Sequence, residues 1–185
     1  MPMSLVNNYA TLWHTYDVDC IWTIYQSLSS PNPKSTTTNQ MLPSKLIFDI
    51  HSYMPGSAMH GVYLDNGELF VFSSEICCDI PPKEQWRRIN QPEEADWERF
   101  YQALCDIQVK KWDKQYVNHR IIDGGGWSLK IRFRDIYRST EGMNAYPEPM
   151  VLDGQEVDPF DLLYDAVDQL TGGELSTSRN RRFGD

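Results

Sequence analysis

Histidines are the first residues to consider for chemistry, because an imidazole can hold a metal or act as a general base. The chain has four of them, scattered at His14, His51, His60 and His119. None forms with Glu the spaced pair that a zinc hydrolase helix uses. The pattern around His51 and His60 predicts two paired strands, which could bring these imidazoles together. Surface or half-buried histidines are the simpler interpretation, so we predict no metal site and no cofactor.

Patterns for covalent catalysis or phosphate binding are also missing from the sequence. A cysteine nucleophile such as Cys78 would need a base such as His60 beside it and a third group to orient the imidazole. The serine elbow of the hydrolases, Gly-x-Ser-x-Gly, does not occur. The glycine run 124–126 leads into a predicted strand, whereas phosphate-binding loops lead into a helix. Four acidic residues near turns could pair but are normally solvated: Asp49, Asp65, Glu68 and Glu75. We therefore predict a protein that is not an enzyme.

The charge of the chain is more informative than any single motif. The formal net charge is -9 and the sequence pI is about 4.9. Nucleic acids and anionic membranes both attract positive charge, so the composition argues against either as a partner. An acidic protein prefers a basic partner, although many proteins are this acidic merely for solubility.

Two groups of acidic residues stand at predicted helix starts and are candidates for steering a basic protein partner. They comprise Glu93, Glu94, Asp96 and Glu98 in the first group, and Asp153, Glu156, Asp158, Asp161 and Asp165 in the second. Helix capping with a solvated face explains most of them equally well. Aromatic side chains that the core leaves over would anchor such an interface, and the candidates are Trp86, Tyr137 and Tyr63.

Alternating residues predict the strands that would position these side chains. Trp127, Leu129, Ile131 and Phe133 alternate with polar residues, as in a strand with one buried face. Residues 136–146 are predicted to return as its partner, with Glu141-Gly142 breaking that strand. Residues 45–53, 59–64 and 68–73 predict an antiparallel meander, with a hairpin turn at Asn66-Gly67.

Helical spacing completes the predicted fold. One helix begins near Pro92 and buries Trp97 and Phe100, and another begins at Asp158-Pro159 and ends at Gly172-Gly173. We predict an α+β fold in which two or three helices cover an antiparallel sheet. A further helix over residues 9–28 and an exposed connection over 29–39 would form an N-terminal part, 1–43. The main domain would be 44–173, followed by a flexible polar tail, 174–185.

The beginning of the sequence lacks an export signal, and no stretch is long and apolar enough to span a bilayer. The four cysteines lack the spacing of zinc ligands, and they are best interpreted as free thiols in a reducing compartment: Cys20, Cys77, Cys78 and Cys105. We therefore expect a cytoplasmic protein.

A set of Trp, Gly, Asn and Pro positions between about residues 44 and 170 resembles a group of small bacterial proteins. It comprises residues 54–61, Trp97, Phe100, residues 112–116, Asp123, residues 127–131, Ser139 and residues 142–147. These proteins belong to polymorphic-toxin and type VI secretion neighbourhoods and are of the kind assigned as immunity proteins. The resemblance implies that Trp112, Trp127 and Tyr146 pack as core aromatics. It also implies structural roles at turns for Asp123, Ser139 and Asn144, with Pro147 ending the motif.

The resemblance implies a function in binding. An immunity protein binds one cognate protein toxin, 1:1, and blocks its active site or substrate surface without a catalytic residue. Two alternatives stay open, namely an adaptor or phage-encoded inhibitor of a host factor, and an enzyme that reverses the toxin's modification. A binder acts stoichiometrically, whereas a reversing enzyme acts at substoichiometric amounts.

Overall fold

The computed structural model describes residues 42–52, 59–74, 80–121 and 124–176, which belong to one compact unit. The predicted helix over 9–28 and the connection over 29–39 lie outside these residues. So do His14, Asp123 and three of the cysteines, which are Cys20, Cys77 and Cys78.

A mixed sheet forms the centre of the described structure. Its seven strands run in the order β4-β3-β2-β1-β6-β7-β5, and β8 and β9 form a separate small hairpin. The strands are β1 (Lys45–Ser52), β2 (Met59–Asp65), β3 (Glu68–Ser74), β4 (Arg87–Arg88), β5 (Gln115–Val117), β6 (Gly125–Phe133), β7 (Ile136–Met143), β8 (Met150–Leu152) and β9 (Gln155–Val157).

Local turn chemistry explains the hairpins of this sheet. Asn66 and Gly67 have φ angles of 51° and 82° and connect β2 to β3, as the sequence predicts. Positive φ at both central residues gives a turn whose twist matches that of the flanking strands. The meander and the later hairpin join where β1 pairs antiparallel with β6, with Asp49 opposite Ser128. The predicted α+β class is confirmed.

Two details of the sheet differ from the prediction. Strand β5 pairs parallel with β7, with Gln115 opposite Glu141, so the sheet is mixed rather than wholly antiparallel. Strand β7 also continues through Glu141 and Gly142 to Met143 instead of breaking there. The strand needs glycine at position 142, because the Cβ atom of any other residue would lie 2.0 Å from Nε1 of the Trp127 indole.

Two helices cover one face of the sheet. Helix α1 (Glu94–Asp106) begins with a reciprocal capping box between Glu93 and Asp96. Helix α2 (Pro159–Leu170) begins at Asp158, whose carboxylate accepts hydrogen bonds from the Phe160 and Asp161 amides at 2.8 and 3.3 Å. Both helices match the sequence prediction. No helix in the described ranges combines the length and the apolar character needed to span a membrane.

The core lies between these helices and the sheet. The ring of Phe160 from α2 packs 4.9 Å from that of Trp127 and 6.2 Å from that of Phe48. Trp97 from α1 packs 6.1 Å from Phe133, at the other end of β6. The core also extends beyond the predicted domain end, because Leu175 is fully buried. The boundary at residue 173 is therefore too early, since residues 174–176 are packed rather than part of a loose tail.

Candidate protein-binding surface

The face of the sheet that α1 and α2 do not cover presents a row of polar and aromatic side chains on β6 and β7. Successive residues of a strand point to opposite faces, and the odd-numbered residues of β6 enter the core. The even-numbered residues Lys130 and Arg132 therefore point the other way. Their cross-strand partners are Ser139 and Tyr137, respectively.

Tyr137 is the most exposed aromatic side chain of the described residues. Its side chain is 71% exposed, and the Arg132 guanidinium lies 4.7 Å from the centre of its ring. A cation is attracted to the negative face of an aromatic ring, and this attraction favours one position of the tyrosine side chain. The ring also stands on a rigid hairpin, closed where Phe133 pairs with Ile136. Little conformational freedom is left to lose when a partner covers this ring.

Positive charge surrounds Tyr137 even though the whole chain is acidic. Lys45 on β1 lies opposite Arg132 on β6, and Lys130 is two residues along the same strand. Burial, followed by the positive charge of Lys130, lowers the pKa of Lys45 from its ordinary value. Within the described ranges no carboxylate forms an ion pair with Lys45 or Arg132. We call Lys45, Lys130, Arg132, Tyr137 and Ser139 the Tyr137 surface.

The acidic residues predicted at the start of α1 are largely engaged in local interactions. Glu93 and Asp96 cap the helix together, and Asp96 also pairs with Arg99. Glu98 forms a two-pronged ion pair with Arg134, which lowers the pKa of this glutamate. Glu94 is exposed and is the member of the group that remains available to a partner.

The second acidic group divides in the same way. Asp158 caps α2, and Asp153 has a φ of 51° in the turn between β8 and β9. Its side chain and that of Glu156 are exposed. Capping and turn formation thus account for four of the nine acidic residues that the sequence singles out, and an ion pair accounts for Glu98.

The two acidic groups do not form one patch. A groove of about 420 Å³ is lined by Asp96 and Phe100 from the start of α1 and by Leu170 and Gly173 from the end of α2. The groove thus brings the start of α1 beside the end of α2, and Asp158 at the start of α2 lies about 12 Å along the helix from Ala166, which also lines the groove, at the rise of an α-helix. Tyr137 stands on the opposite face of the sheet from both groups.

Trp86, another predicted anchor, is packed rather than free. Its Nε1 donates a hydrogen bond to the Pro81 carbonyl at 2.7 Å, and its ring lies 4.4 Å from that of Tyr63. Phe70 and Phe72 lie within 6.3 Å of the same ring. Trp86 and Tyr63 thus cover part of the sheet together, and each is half-buried.

The motif residues of the resemblance divide into confirmed and corrected expectations. Trp112 and Trp127 are buried, as expected, and pack edge to face at 5.9 Å. Asn144 stabilises a turn as expected, because its Oδ1 accepts from the Gly125 amide at 2.9 Å. Tyr146 is 47% exposed, since it stacks against the outer side of Trp127 instead of entering the core. Ser139 lies within β7 rather than at a turn.

Pro147 is buried, which agrees with a structural role at the end of the motif. Asp123 is outside the described residues, so its expected role at a turn stays a prediction.

A buried polar cluster that sequence reasoning missed lies at Asp49. The Ser128 hydroxyl donates to Asp49 Oδ2, and His51 Nδ1 lies 3.4 Å from Asp49 Oδ1. Gly126 makes room for this imidazole, because a Cβ atom there would lie 2.4 Å from His51 Nε2. A nucleophilic serine must bond to its histidine base, whereas Ser128 bonds to the carboxylate. The Asp49 carboxylate provides an acceptor for the Ser128 hydroxyl, and this geometry does not activate a nucleophile.

We expect Asp49→Ala to lower the free energy of unfolding by about 2 kcal/mol, because it removes the carboxylate that accepts from the Ser128 hydroxyl and lies 3.4 Å from His51 Nδ1. Ser128→Ala, the matched control, removes one donor and should cost about 1 kcal/mol. Urea unfolding followed by circular dichroism measures both. A wild-type midpoint for Asp49→Ala would mean that the cluster does not stabilise the fold.

Metal chemistry finds no support in the described ranges, where no three His, Cys, Asp or Glu side chains are grouped to hold an ion. Comparison with protein families, with curated proteins and with solved structures gave no match. Function therefore has to be inferred from the surface chemistry of the chain itself.

Proposed function

We propose that this protein is a cytoplasmic immunity protein that binds one cognate protein toxin, 1:1, and covers the toxin's active site or substrate surface. The observation that carries the proposal is the exposed ring of Tyr137, fixed by Arg132 on a rigid hairpin. Tyrosine and arginine are enriched among the residues that dominate binding energy at protein interfaces.

The form of this surface favours a macromolecule over a small molecule. Small ligands bind in concave pockets that bury most of their surface. Tyr137, Arg132 and Lys130 instead stand on one face of two adjacent strands, where a protein surface can lie against all three. Such a face suits occlusion, because it needs no reacting group of its own.

A toxin is proposed as the partner on the basis of the resemblance to immunity proteins. Trp112, Trp127 and Asn144 of the shared pattern have the structural roles that the resemblance implies. These roles agree with the resemblance, and in this proposal the Tyr137 surface provides the contact that an inhibitor needs.

Electrostatics act at two ranges in this proposal. The net charge of -9 favours approach of a protein that is basic overall. At contact, Lys45, Lys130 and Arg132 favour acidic side chains on the area of the partner that meets Tyr137. Exposed acidic residues such as Glu94 and Glu156 contribute to approach rather than to contact.

Affinity purification of the tagged chain, at low and at high salt, tests the proposal in the cells that encode it. We expect one stoichiometric partner, identified by mass spectrometry as a toxin domain, with less of it retained at high salt because screening weakens charge steering. Recovery of the chain alone at both salt concentrations would contradict obligate binding.

Titration then separates blocking from enzymatic reversal. If the chain blocks the toxin, toxin activity falls linearly and reaches its minimum at one equivalent of the chain. Complete loss of toxin activity at a small fraction of one equivalent of the chain would contradict occlusion and indicate that the chain acts as an enzyme.

A further inference from the structure

The outer edge of β7 is only partly paired. Strand β5 covers residues 141–143, where Gln115, Tyr116 and Val117 pair with β7. The first part of β7, residues 136–140, extends beyond β5, although residues 109–111 pack against β7 and the Thr140 hydroxyl donates to the Asp113 carbonyl at 2.6 Å. No strand of the described ranges lies along that stretch on the outer side.

The direction of the backbone groups on this stretch follows from the neighbouring hydrogen bonds. The Glu141 amide donates outward to the Lys114 carbonyl at 3.1 Å, and the Met143 carbonyl accepts from the Asn118 amide at 3.0 Å. Every second residue of a strand presents its N–H and C=O to the same side. The N–H and C=O groups of Tyr137 and Ser139 therefore point to the outer edge, along which no strand of the described residues pairs.

Both sides of this edge offer contacts for side chains. On one side stand the exposed Tyr137 and Ser139, with Arg132 over the tyrosine ring. On the helix side, Ile136 lines a pocket of about 190 Å³ together with Leu104 and Cys105, and Lys111 lies at the same pocket. The Lys111 ammonium bonds to the side-chain carbonyl of Gln108 at 2.7 Å and forms no ion pair with a carboxylate in the described ranges.

The opposite edge of the sheet shows how an edge is made unsuitable for pairing. Strand β4 has only two residues, Arg87 and Arg88, and these pair with Glu174 and Glu68. Short charged strands are a common protection against edge-to-edge association. The first part of β7 is longer than β4 and has no proline and no lysine; its charged residue, Arg138, is half-buried, and Tyr137 is exposed.

We propose that an extended segment of the partner protein adds to the sheet along residues 136–140 of β7. This rests on the proposed function, since it specifies how the partner binds. Main-chain hydrogen bonds to Tyr137 and Ser139 hold such a segment. Every second side chain of the segment contacts the same face of the sheet, and these contacts give specificity. Acidic side chains lie beside Arg132 on one face, and apolar side chains enter the pocket at Ile136 on the other.

Substitution of Ser139 tests the main-chain bonds. Ser139→Pro removes the outward N–H group and places the proline ring at the edge. The hydrogen bonds between β7 and β6 are kept, because they use the even-numbered residues of β7. Ser139→Thr is the matched control, because it keeps the amide. We expect Ser139→Pro to weaken binding of the co-purified partner at least 10-fold and Ser139→Thr to leave it unchanged. A folded Ser139→Pro variant that binds like the wild type would overturn the proposal.

Amide exchange reports on the same edge without any substitution. The probe is a short synthetic peptide of alternating Glu and Val, with a Lys and Val peptide as the charge control. We expect the Glu peptide to slow hydrogen exchange of the Tyr137 and Ser139 amides in nuclear magnetic resonance spectra. Arg132→Glu should abolish this protection, whereas Arg88→Glu, the same charge change at the far edge, should not.

The two proposals fail in different ways. If the partner binds but the Tyr137 and Ser139 amides still exchange freely, edge pairing is wrong and the immunity function stands. If no partner is found but the Glu peptide protects both amides, edge pairing stands and the proposed function is wrong. Concentration-dependent protection without peptide would overturn the partner segment in favour of a second copy of this chain.

Discussion

Replacing Trp127 with alanine is expected to lower the free energy of unfolding by about 3 to 5 kcal/mol. The indole is 1% exposed, and its neighbours include the rings of Trp112, Tyr116 and Phe160, whose centres lie within 5.9 Å. Its Nε1 also donates to the Ala145 carbonyl at 3.0 Å. Native domains have free energies of unfolding of about 5 to 15 kcal/mol, so the variant is close to unfolded if the wild type lies at the low end of this range. Urea unfolding followed by circular dichroism measures the loss.

Two variants control for this result. Trp127→Phe keeps an aromatic ring in the core and should lose less stability than Trp127→Ala. Trp86→Ala removes an equally large but half-buried ring from the other face and should also cost less. A loss below about 1 kcal/mol for Trp127→Ala would show that the core closes around the gap, contrary to the packing described here.

Replacing Tyr137 with alanine is expected to weaken partner binding by about 2 to 4 kcal/mol, or roughly 30- to 1000-fold. Tyr137 is 71% exposed, and Arg132 lies over its ring, so the stability of the free protein should change by no more than about 0.5 kcal/mol. Isothermal titration calorimetry with the co-purified partner measures the affinity, and the urea midpoint measures the stability.

Val151→Ala is the matched control for Tyr137→Ala. Val151 is 70% exposed on β8, in the separate hairpin, so this variant should bind the partner like the wild type. Equal affinities for Tyr137→Ala and the wild type would remove the Tyr137 surface as the contact site. The next variants to test would then replace Glu94 and Glu156, two exposed members of the acidic groups.

Local sequence patterns predict most elements of this fold. Alternation identifies β6, the Asn66-Gly67 pair identifies a hairpin, and a cap residue followed by proline identifies the start of α2. Long-range pairings leave no such pattern. Strand β1 pairs with β6, and β5 lies parallel to β7. Helix α1 lies between β1 and these strands in the chain, and the residues of the strands do not encode how it packs.

The candidate surface is less predictable for a related reason. Trp86, Tyr63 and Tyr137 are all aromatic and were candidates for the same role, and only packing distinguishes them. Trp86 and Tyr63 lie against each other, whereas Tyr137 remains exposed. The cluster at Asp49 escaped prediction because Ser128 is 79 residues away in the chain.

The glycines at the start of β6 are partly predictable from sequence. A run of glycines indicates that other groups approach the backbone closely, and the structure identifies these groups. Asn144 lies against Gly124 and His51 lies against Gly126, so a side chain at either position would collide with its neighbour. Gly125 and Gly126 already belong to β6, so most of the run lies within the strand.

The pairing of β1 with β6 has a consequence for synthesis of the protein. Asp49 and Ser128, opposite each other in that pairing, are 79 residues apart, so a ribosome adding about 5 to 20 residues per second needs about 4 to 16 s between them. During that interval the meander exists without its central neighbour, and the edge of β1 is open. The nascent chain, rather than the finished protein, is then most exposed to aggregation and most dependent on chaperones.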